Sequence, residues 1–532
     1  MHVLKTNKYL PVLFTAIIFL SSCTAQQQNP VKVAERDTSI TRATAYSKLF
    51  LDSLKLEIFI KNDHVAANVA ANMRDFYRSR NYQFAWFTET GIAEHTRSFW
   101  NLHNNYIHDF GDTALKYKHF HNEIDTFMHS DTTAISPALM LQKEMQLTEH
   151  FFAYAKNAYT GKADPNVLKW YIPRKKINAV ALLDSFIISG GENLQDREPL
   201  NIYYQRLKKE LIHYHAIDES GGWREITAEK MKTFRPGEAG PIIKAIKERL
   251  RKSGEYKSND STADNTSELL AAIKLKQRSF GLKEDGIINF SLVKELNVPV
   301  KVRIRQMLIN LERMRWVPQE QETNIVVVNI PEYRLHVFEA GKKIFSIDIV
   351  VGREANHTVI FSDQLKYVVF SPYWNVPSSI AQKEIIPAIR RNPNYLSKMN
   401  MERTGKGFRQ KPGGKNALGK VKFVFPNSYN IYFHDTPSKW LFNQDKRAFS
   451  HGCIRLAEPQ KFASYLLRFQ HEWTTETITE AMNASTEKVV TLKHQVPVFI
   501  SYFTSWVDSE GLLNFRDDVY GHDKKLAMEL FE

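Results

Sequence analysis

The sequence predicts an α+β multidomain fold, with an all-α N-terminal part, a small three-helix module and a mostly-β C-terminal domain that carries a long insert. Apolar residues recur at three- and four-residue spacing in the first 300 residues, as at Leu147 and Phe151, which is typical of amphipathic helices. After Asn324 the pattern changes to β-branched runs and period-two alternation, which is typical of strands. A chain of 532 residues is too long for a single hydrophobic core. At about 150 residues per domain, this length predicts three or four domains.

The helical part is predicted to divide in three. Residues 45–236 form a helical scaffold, in which aromatic residues such as Trp86, Phe87 and Trp170 are expected to pack in the core. Residues 237–300 form the three-helix module, with a Glu-Asp-Gly turn at residues 284–286. Residues 301–322 form a connecting helix.

The C-terminal domain is predicted to cover residues 323–532. A β-branched run at residues 324–330 is followed by a hairpin that turns at Ala340-Gly341. Residues 377–420 are polar and rich in glycine and proline. An irregular insert of this length in a β domain is more often a lid or binding loop than a connector.

Composition excludes several classes of protein. Hydrophobic residues make up 43% of the chain and aromatic residues 12%, which excludes wholesale disorder. The net charge of +14 favours an anionic partner such as nucleic acid, acidic lipid or a carboxylate-rich polymer. Cys23 and Cys453 are the two cysteines, which excludes a disulfide scaffold and a cysteine-built zinc site.

The first 23 residues are predicted to be an export signal. The apolar run from Leu10 to Leu20 is too short to span a bilayer core of about 30 Å, which needs about 20 helical residues. Leu20-Ser21-Ser22-Cys23 resembles the lipobox of bacterial lipoproteins, which implies lipidation of Cys23 and a membrane anchor; the alternative is cleavage after Ala25. Residues 24–44 are expected to be a flexible tether, and the mature chain to work on the periplasmic side of the cell envelope.

Cys453 is the leading candidate nucleophile. A free thiol has a pKa near ~8.5, so a histidine that accepts its proton would activate it. His451 lies two positions away, and His434 lies nineteen positions upstream at the end of a predicted strand. The N–H groups of Gly452 and Cys453 could hold an oxyanion, and Arg455 offers a planar fork for a carboxylate.

The motif around this cysteine resembles a known family. Ser-His-Gly-Cys-Ile-Arg-Leu at residues 450–456, preceded by His-Asp-Thr-Pro at residues 434–437, looks like the signature of L,D-transpeptidases of the YkuD type. Other segments are similar to the large YcbB-like branch, which has scaffold and peptidoglycan-binding-like domains: residues 76–77, 85–87, 391–396, 416–420 and 425–427. The resemblance implies that the three-helix module is peptidoglycan-binding-like and that the C-terminal domain is catalytic.

The resemblance also implies roles for individual residues. Cys453 would be the nucleophile and His434 its base, with the ring of His434 oriented by the backbone carbonyl of Asp435 rather than by a carboxylate. The remaining residues divide into support for the oxyanion pocket or the loop, and contacts to substrate. The first group is Ser450, His451, Gly452 and Asp435, and the second is Arg455, Tyr432 and Trp374.

The implied reaction is the formation of 3–3 cross-links in cell-wall peptidoglycan. Cys453 would form a thioester with a stem tetrapeptide and release D-Ala, and an amine of a second stem would resolve it. No metal, cofactor or nucleic acid is expected, carbapenems should acylate Cys453, and other cell-wall enzymes are further candidate partners. Two alternatives stay open: an L,D-carboxypeptidase that uses water as acceptor, and a lipid-tethered wall-binding scaffold with weak activity.

Overall fold

The computed structural model describes residues 34–111, 118–129, 135–172, 177–192, 200–227, 232–317, 324–405 and 407–531. The predicted signal segment with Cys23, and residues 24–33 of the predicted tether, lie outside the described residues. Within the described ranges no helix has both the length and the apolar character needed to cross a membrane.

The N-terminal part is helical, as the apolar spacing predicts. Its helices are α1 (Ser53–Asn62), α2 (Ala67–Ser79), α3 (Glu94–Phe110), α4 (Lys118–His129), α5 (Pro137–Ala155), α6 (Ala179–Ile188) and α7 (Ile202–Glu219). Short polar residues start several of them: the side chains of Ser136 and Asn201 each accept a backbone N–H of the first turn. Such caps satisfy donors that have no partner inside the helix.

Aromatic side chains fill the core of this part. Trp86 and Phe87 are fully buried, and the ring of Trp86 lies 5.2 Å from that of Phe99. Trp170 is also buried and contacts Trp316 edge-on. The predicted packing of Trp86 and Phe87 in the core of the helical part is confirmed, whereas Trp170 packs in the core of the C-terminal sheet.

The N-terminal part departs from a purely helical structure at two places. Strands β1 (Phe87–Thr88) and β2 (Gly91–Ile92) form a small hairpin. Strand β3 (Trp170–Tyr171) pairs in parallel with Ile360 and Phe361 of the C-terminal sheet. Two-residue strands are too short to show a period, so the sequence pattern gives no signal for them.

The small module has the three predicted helices: α8 (Pro241–Lys252), α9 (Ser267–Phe280) and α10 (Phe290–Leu296). Helix α11 (Val300–Arg315) lies where the connecting helix is predicted. The polar segment between α8 and α9 serves the module itself, since the buried Lys247 Nζ donates to Asp260 Oδ2 at 2.6 Å and to the backbone oxygen of Thr262 at 3.1 Å.

The C-terminal domain is built on one large sheet. Its strands are β4 (Ile325–Asn329), β5 (Arg334–Glu339), β6 (Lys342–Gly352), β7 (Ile360–Phe370), β11 (Val421–Val424), β12 (Phe433–His434), β13 (Ala448–Ser450), β14 (Ile454–Leu456) and β15 (Lys488–Ser501). The strand order is β11-β12-β14-β6-β5-β4-β15-β7-β3. Because β11 also pairs with β7, the sheet curves back on itself, and β12 lies parallel to β14.

The insert at residues 377–420 is more regular than its composition predicts. It contains α12 (Ser378–Ile380), a π-helical turn at Ala381–Ile385, α13 (Ile386–Arg391) and α14 (Tyr395–Lys398). Strands β9 (Met401–Thr404) and β10 (Gly407–Gln410) form a separate sheet with β8 (Trp374–Asn375).

Helices cover the apolar face of the large sheet. These are α15 (Pro459–Leu467) and α16 (Thr475–Met482), and the ring of Phe462 lies 4.9 Å from that of Phe423. The chain continues through a hairpin of β16 (Ser505–Val507) and β17 (Leu513–Phe515) to a final helix, α17 (His522–Phe531). No sequence pattern predicted α17.

Candidate active site

The candidate nucleophile lies in a tight loop between β13 and β14. Ser450 Oγ donates to the backbone oxygen of Cys453 at 2.5 Å and accepts the backbone N–H of Gly452 at 3.1 Å. Gly452 has a φ of 120°, a conformation that favours glycine. The buried serine therefore fixes the loop that presents Cys453.

A second set of hydrogen bonds, through Thr358 and Gly352, also fixes this loop. Thr358 Oγ1 donates to the backbone oxygen of Gly452 at 2.8 Å and accepts from the backbone nitrogen of Gly352 at 2.9 Å. The hydroxyl of Tyr520 donates to the backbone oxygen of Gly352 at 2.6 Å. A side chain at Gly352 would collide with the backbone of Asn356 and Thr358, so this close approach requires glycine.

The thiol of Cys453 is half-buried and has polar neighbours. Its Sγ lies 3.6 Å from the backbone oxygen of Asn430. Burial raises the pKa of the Cys453 thiol, and hydrogen bonds with Tyr432 oppose that rise. The thiol is thus neither sealed in apolar packing nor fully open to water.

His434 has the tautomer required of a base. Its Nδ1 lies 2.5 Å from the backbone oxygen of Asp435, and because a carbonyl can only accept, Nδ1 carries the proton. Nε2 is left with a free lone pair. Burial, followed by the charge of Arg455, lowers the pKa of His434 to about 3, so the ring is neutral at neutral pH.

Strand register places the thiol and the imidazole on one face of the sheet. His434 pairs with Arg455 across β12 and β14, and Tyr432 and Cys453 stand at the positions before the first paired residues. Residues two apart in a strand share a face, and the rings of Tyr432 and His434 lie 5.7 Å apart. His434 therefore lies diagonal to Cys453, and no hydrogen bond joins Sγ to the ring within the described part of the chain.

The carboxylate of Asp435 has a structural role. It is buried and accepts the backbone N–H of Lys420 at 2.9 Å and Lys439 Nζ at 2.7 Å. Gly419 has a φ of 63°, and a side chain there would collide with this carboxylate. The backbone of Asp435 orients His434, while its side chain anchors the segment before β11.

Two family models match this chain. One, described as the L,D-transpeptidase catalytic domain, matches residues 323–492, and the other, described as a scaffold domain, matches residues 71–211. Residues 323–492 are an L,D-transpeptidase catalytic domain of the YkuD family. The scaffold match lies inside the predicted helical scaffold; the exact domain boundaries stay predictions.

Individual proteins are similar to parts of this chain. A Haemophilus influenzae protein with a provisional L,D-transpeptidase name is 29% identical over 255 residues, which cover 44% of this chain and 50% of the relative. The chain thus spans about half the length of that curated relative. An L,D-transpeptidase structure from Stackebrandtia nassauensis covers 50% of this chain and 94% of its own at 15% identity, with a TM-score of 0.21. The structure of L,D-transpeptidase LdtMt1 in complex with imipenem covers 34% and 59% at 17% identity, with a TM-score of 0.19.

The two N–H groups that were predicted to hold an oxyanion differ in their hydrogen bonds. The Gly452 N–H already donates to Ser450 Oγ, because the loop folds back on its own serine. The Cys453 N–H has no hydrogen-bond partner among the described residues. Of the two N–H groups, that of Cys453 is the one available to a substrate oxyanion.

His451 contacts the insert of the transpeptidase domain rather than the loop beneath it. Its Nε2 lies 2.9 Å from Glu384 Oε1 in the π-helical turn, and both side chains are partly exposed. This contact joins the loop that carries Cys453 to the predicted lid. Sequence spacing could not indicate it, since the two residues lie 67 positions apart.

The three predicted substrate-contacting residues differ in their surroundings. Arg455 is half-buried, its Nε has no hydrogen-bond partner, and it forms no ion pair among the described residues. Tyr432 is half-buried beside Cys453, and burial raises the pKa of its hydroxyl. Trp374 is half-buried in β8 at the base of the insert, and no ring contact links it to His434 among the described residues. Their roles stay predictions.

The sequence motifs do not include the residues that hold the Cys453 loop in place. Thr358 and Asn430 contact the Cys453 loop or its thiol, and Tyr520 contacts Gly352 and Thr358. None of the three lies in a motif, and Tyr520 lies beyond the residues that the family model matches. Lys422 was also missed, although it carries a charge in a strand of alternating pattern. Within the described ranges no three His, Cys, Asp or Glu side chains are grouped as metal ligands.

Proposed function

We propose that this protein is an exported L,D-transpeptidase that makes 3–3 cross-links in peptidoglycan. The observation that carries the proposal is a half-buried thiol on the same sheet face as a neutral histidine whose Nδ1–H donates to a backbone carbonyl. That tautomer leaves Nε2 free to accept the thiol proton.

The proposed first half-reaction is acylation. The Cys453 proton passes to His434 Nε2 while Sγ attacks the carbonyl that joins the diamino acid to D-Ala, and the Cys453 N–H stabilises the oxyanion. The C–N bond then breaks, the imidazolium of His434 returns the proton to the departing amine, and D-Ala leaves. A thioester between Cys453 and the shortened stem remains.

The proposed second half-reaction transfers the stem. A side-chain amine of a second stem attacks the thioester and loses a proton through His434. The C–S bond breaks and the thiol is restored. Neither half-reaction requires a cofactor.

The setting of the protein is part of the same proposal. The predicted lipid on Cys23 would hold the chain on the periplasmic side of a membrane, close to peptidoglycan. The net charge of +14 suits a carboxylate-rich polymer. Other cell-wall enzymes are candidate partners of the helical scaffold.

Two measurements test the nucleophile and the reaction. Intact-mass analysis after exposure to a carbapenem should show one adduct, mapped to Cys453, in the wild-type protein and none in Cys453→Ala. Mass spectrometry of muropeptides after incubation with tetrapeptide stems should show cross-linked dimers. Tripeptide monomers alone would indicate the carboxypeptidase, and unchanged tetrapeptides without an adduct would leave only the wall-binding scaffold.

A further inference from the structure

A row of three side chains crosses the sheet face that carries the active site. Lys422 of β11 pairs with His434 of β12, and His434 pairs with Arg455 of β14. Directly paired residues point to the same side of a sheet, and neighbouring strands lie about 4.8 Å apart. The imidazole is therefore flanked by one cationic side chain on each side.

The opposite face is closed. Phe423, Phe433 and Ile454, each one position away in its strand, are fully buried, and Phe462 covers the first two. The row of Lys422, His434 and Arg455 therefore faces the substrate side. A ligand on this side meets both cations.

The ammonium group of Lys422 is weakly paired. Its side chain is 22% exposed, and its nearest acidic partner, Glu487 Oε2, lies at 4.0 Å, the outer limit for an ion pair. The same Glu487 oxygen accepts the backbone N–H of Tyr373 at 2.8 Å. Burial lowers the pKa of Lys422, and Glu487 opposes this shift. The Lys422 ammonium has no hydrogen bond among the residues that the structure describes, and a half-buried cation of this kind gains from an anionic ligand.

The order of the strands matches the order of atoms in the donor. Sulfur lies on the residue directly before β14, the imidazole on β12 and the ammonium on β11. The amine that His434 protonates is attached to the same carbon as the carboxylate of the departing residue. A leaving group whose amine is at His434 and which extends away from sulfur brings that carboxylate toward β11.

We propose that Lys422 binds the terminal carboxylate of the donor stem and so restricts the enzyme to donors whose fourth residue is the free C-terminus. This inference rests on the proposed function. A donor that continues beyond the fourth residue, or ends in an amide, offers no charge at that position. Lys422 is thus a specificity-determining residue that contacts the leaving group.

The test compares two donors on the full chain. The substrates are a synthetic stem tetrapeptide with a free C-terminal carboxylate and the same peptide with a C-terminal amide, and the readout is kcat/KM for release of the fourth residue. We expect the wild-type enzyme to prefer the free acid by about tenfold or more, the effect of one charge-assisted hydrogen bond. Lys422→Met should reduce the preference to about threefold or less by slowing the free-acid donor, and Lys422→Arg should retain most of it.

A matched control removes a neighbouring charge. Lys420 is exposed and its Nζ donates to Asn483 at 2.6 Å, so Lys420→Met should keep the wild-type preference. The inference is overturned if Lys422→Met keeps the preference, if it slows both donors by the same factor, or if the wild type has no preference. If the wild type consumes neither donor, the proposed function itself fails, and this inference with it.

Discussion

The hydroxyl of Tyr520 offers a sharp test of how the nucleophile loop is held. It donates to the backbone oxygen of Gly352 at 2.6 Å and accepts the backbone N–H of Thr358 at 3.3 Å. Tyr520→Phe removes both bonds but keeps the ring, which stacks on His357 at 4.2 Å. The substitution therefore isolates the hydroxyl.

The size of the expected loss of stability follows from the backbone groups that lose their hydrogen-bond partner. The oxygen of Gly352 becomes a buried acceptor without its partner, which costs about 1–3 kcal/mol of unfolding free energy. For a domain of about 200 residues this lowers Tm by several degrees, at about 2–4 °C per kcal/mol. Because Gly352 and Thr358 together hold Gly452, a shift of the loop should also slow acylation of Cys453, by about tenfold.

The assay has two readouts and one control. Thermal unfolding reports stability, and the second-order rate of carbapenem acylation, followed by intact mass, reports the loop. Tyr171→Phe is the control, because Tyr171 is exposed and stacks on Tyr429 through its ring. A Tyr520→Phe protein with the Tm and acylation rate of the control would refute the reasoning; a lower Tm with an unchanged rate would refute the link to the loop.

Two further predictions concern the base and its neighbour. Because the pKa of His434 is lowered to about 3, its neutral form persists as pH falls through the ordinary histidine range. The thiol stays protonated below its raised pKa, so the reactive pair of thiol and neutral imidazole is fully populated, and the acylation rate should be nearly constant between about pH 5 and 8. Stopped-flow rates that fall with a midpoint near ~6.5 would contradict this. Asp435→Asn should slow acylation by less than about tenfold, whereas loss of a true triad carboxylate costs about 10⁴-fold, since the carbonyl rather than the carboxylate holds the ring.

The fold was predictable wherever one period extends over many residues. Helices α8 to α10 and strands β4 to β6 follow the spacing of their apolar residues. The two-residue strands β1 to β3, the ordered insert and α17 were not predicted. Short elements take their conformation from partners elsewhere in the chain, so local pattern carries little information about them.

The site residues show the same difference between features that a local pattern predicts and features that depend on distant contacts. Ser450, Gly452 and Cys453 are contiguous, so a local motif was enough to identify the loop. The contact of His451 with Glu384, and that of Thr358 with Gly452, join residues far apart in the chain. The hydrogen bond from the Gly452 N–H to the Ser450 hydroxyl lies within the motif itself, but the sequence gives no indication of it.

The sequence by itself determined which groups can react: one thiol in a glycine-containing loop, a histidine upstream of it and an arginine two residues beyond. Only the tertiary structure decided which of these groups lie on the same face of the sheet and which of them are charged at neutral pH. Strand register set the row of Lys422, His434 and Arg455, and burial beside two cations made the histidine a neutral base. Strand register and desolvation both depend on contacts between segments that are far apart in the chain. A local sequence pattern does not predict those contacts.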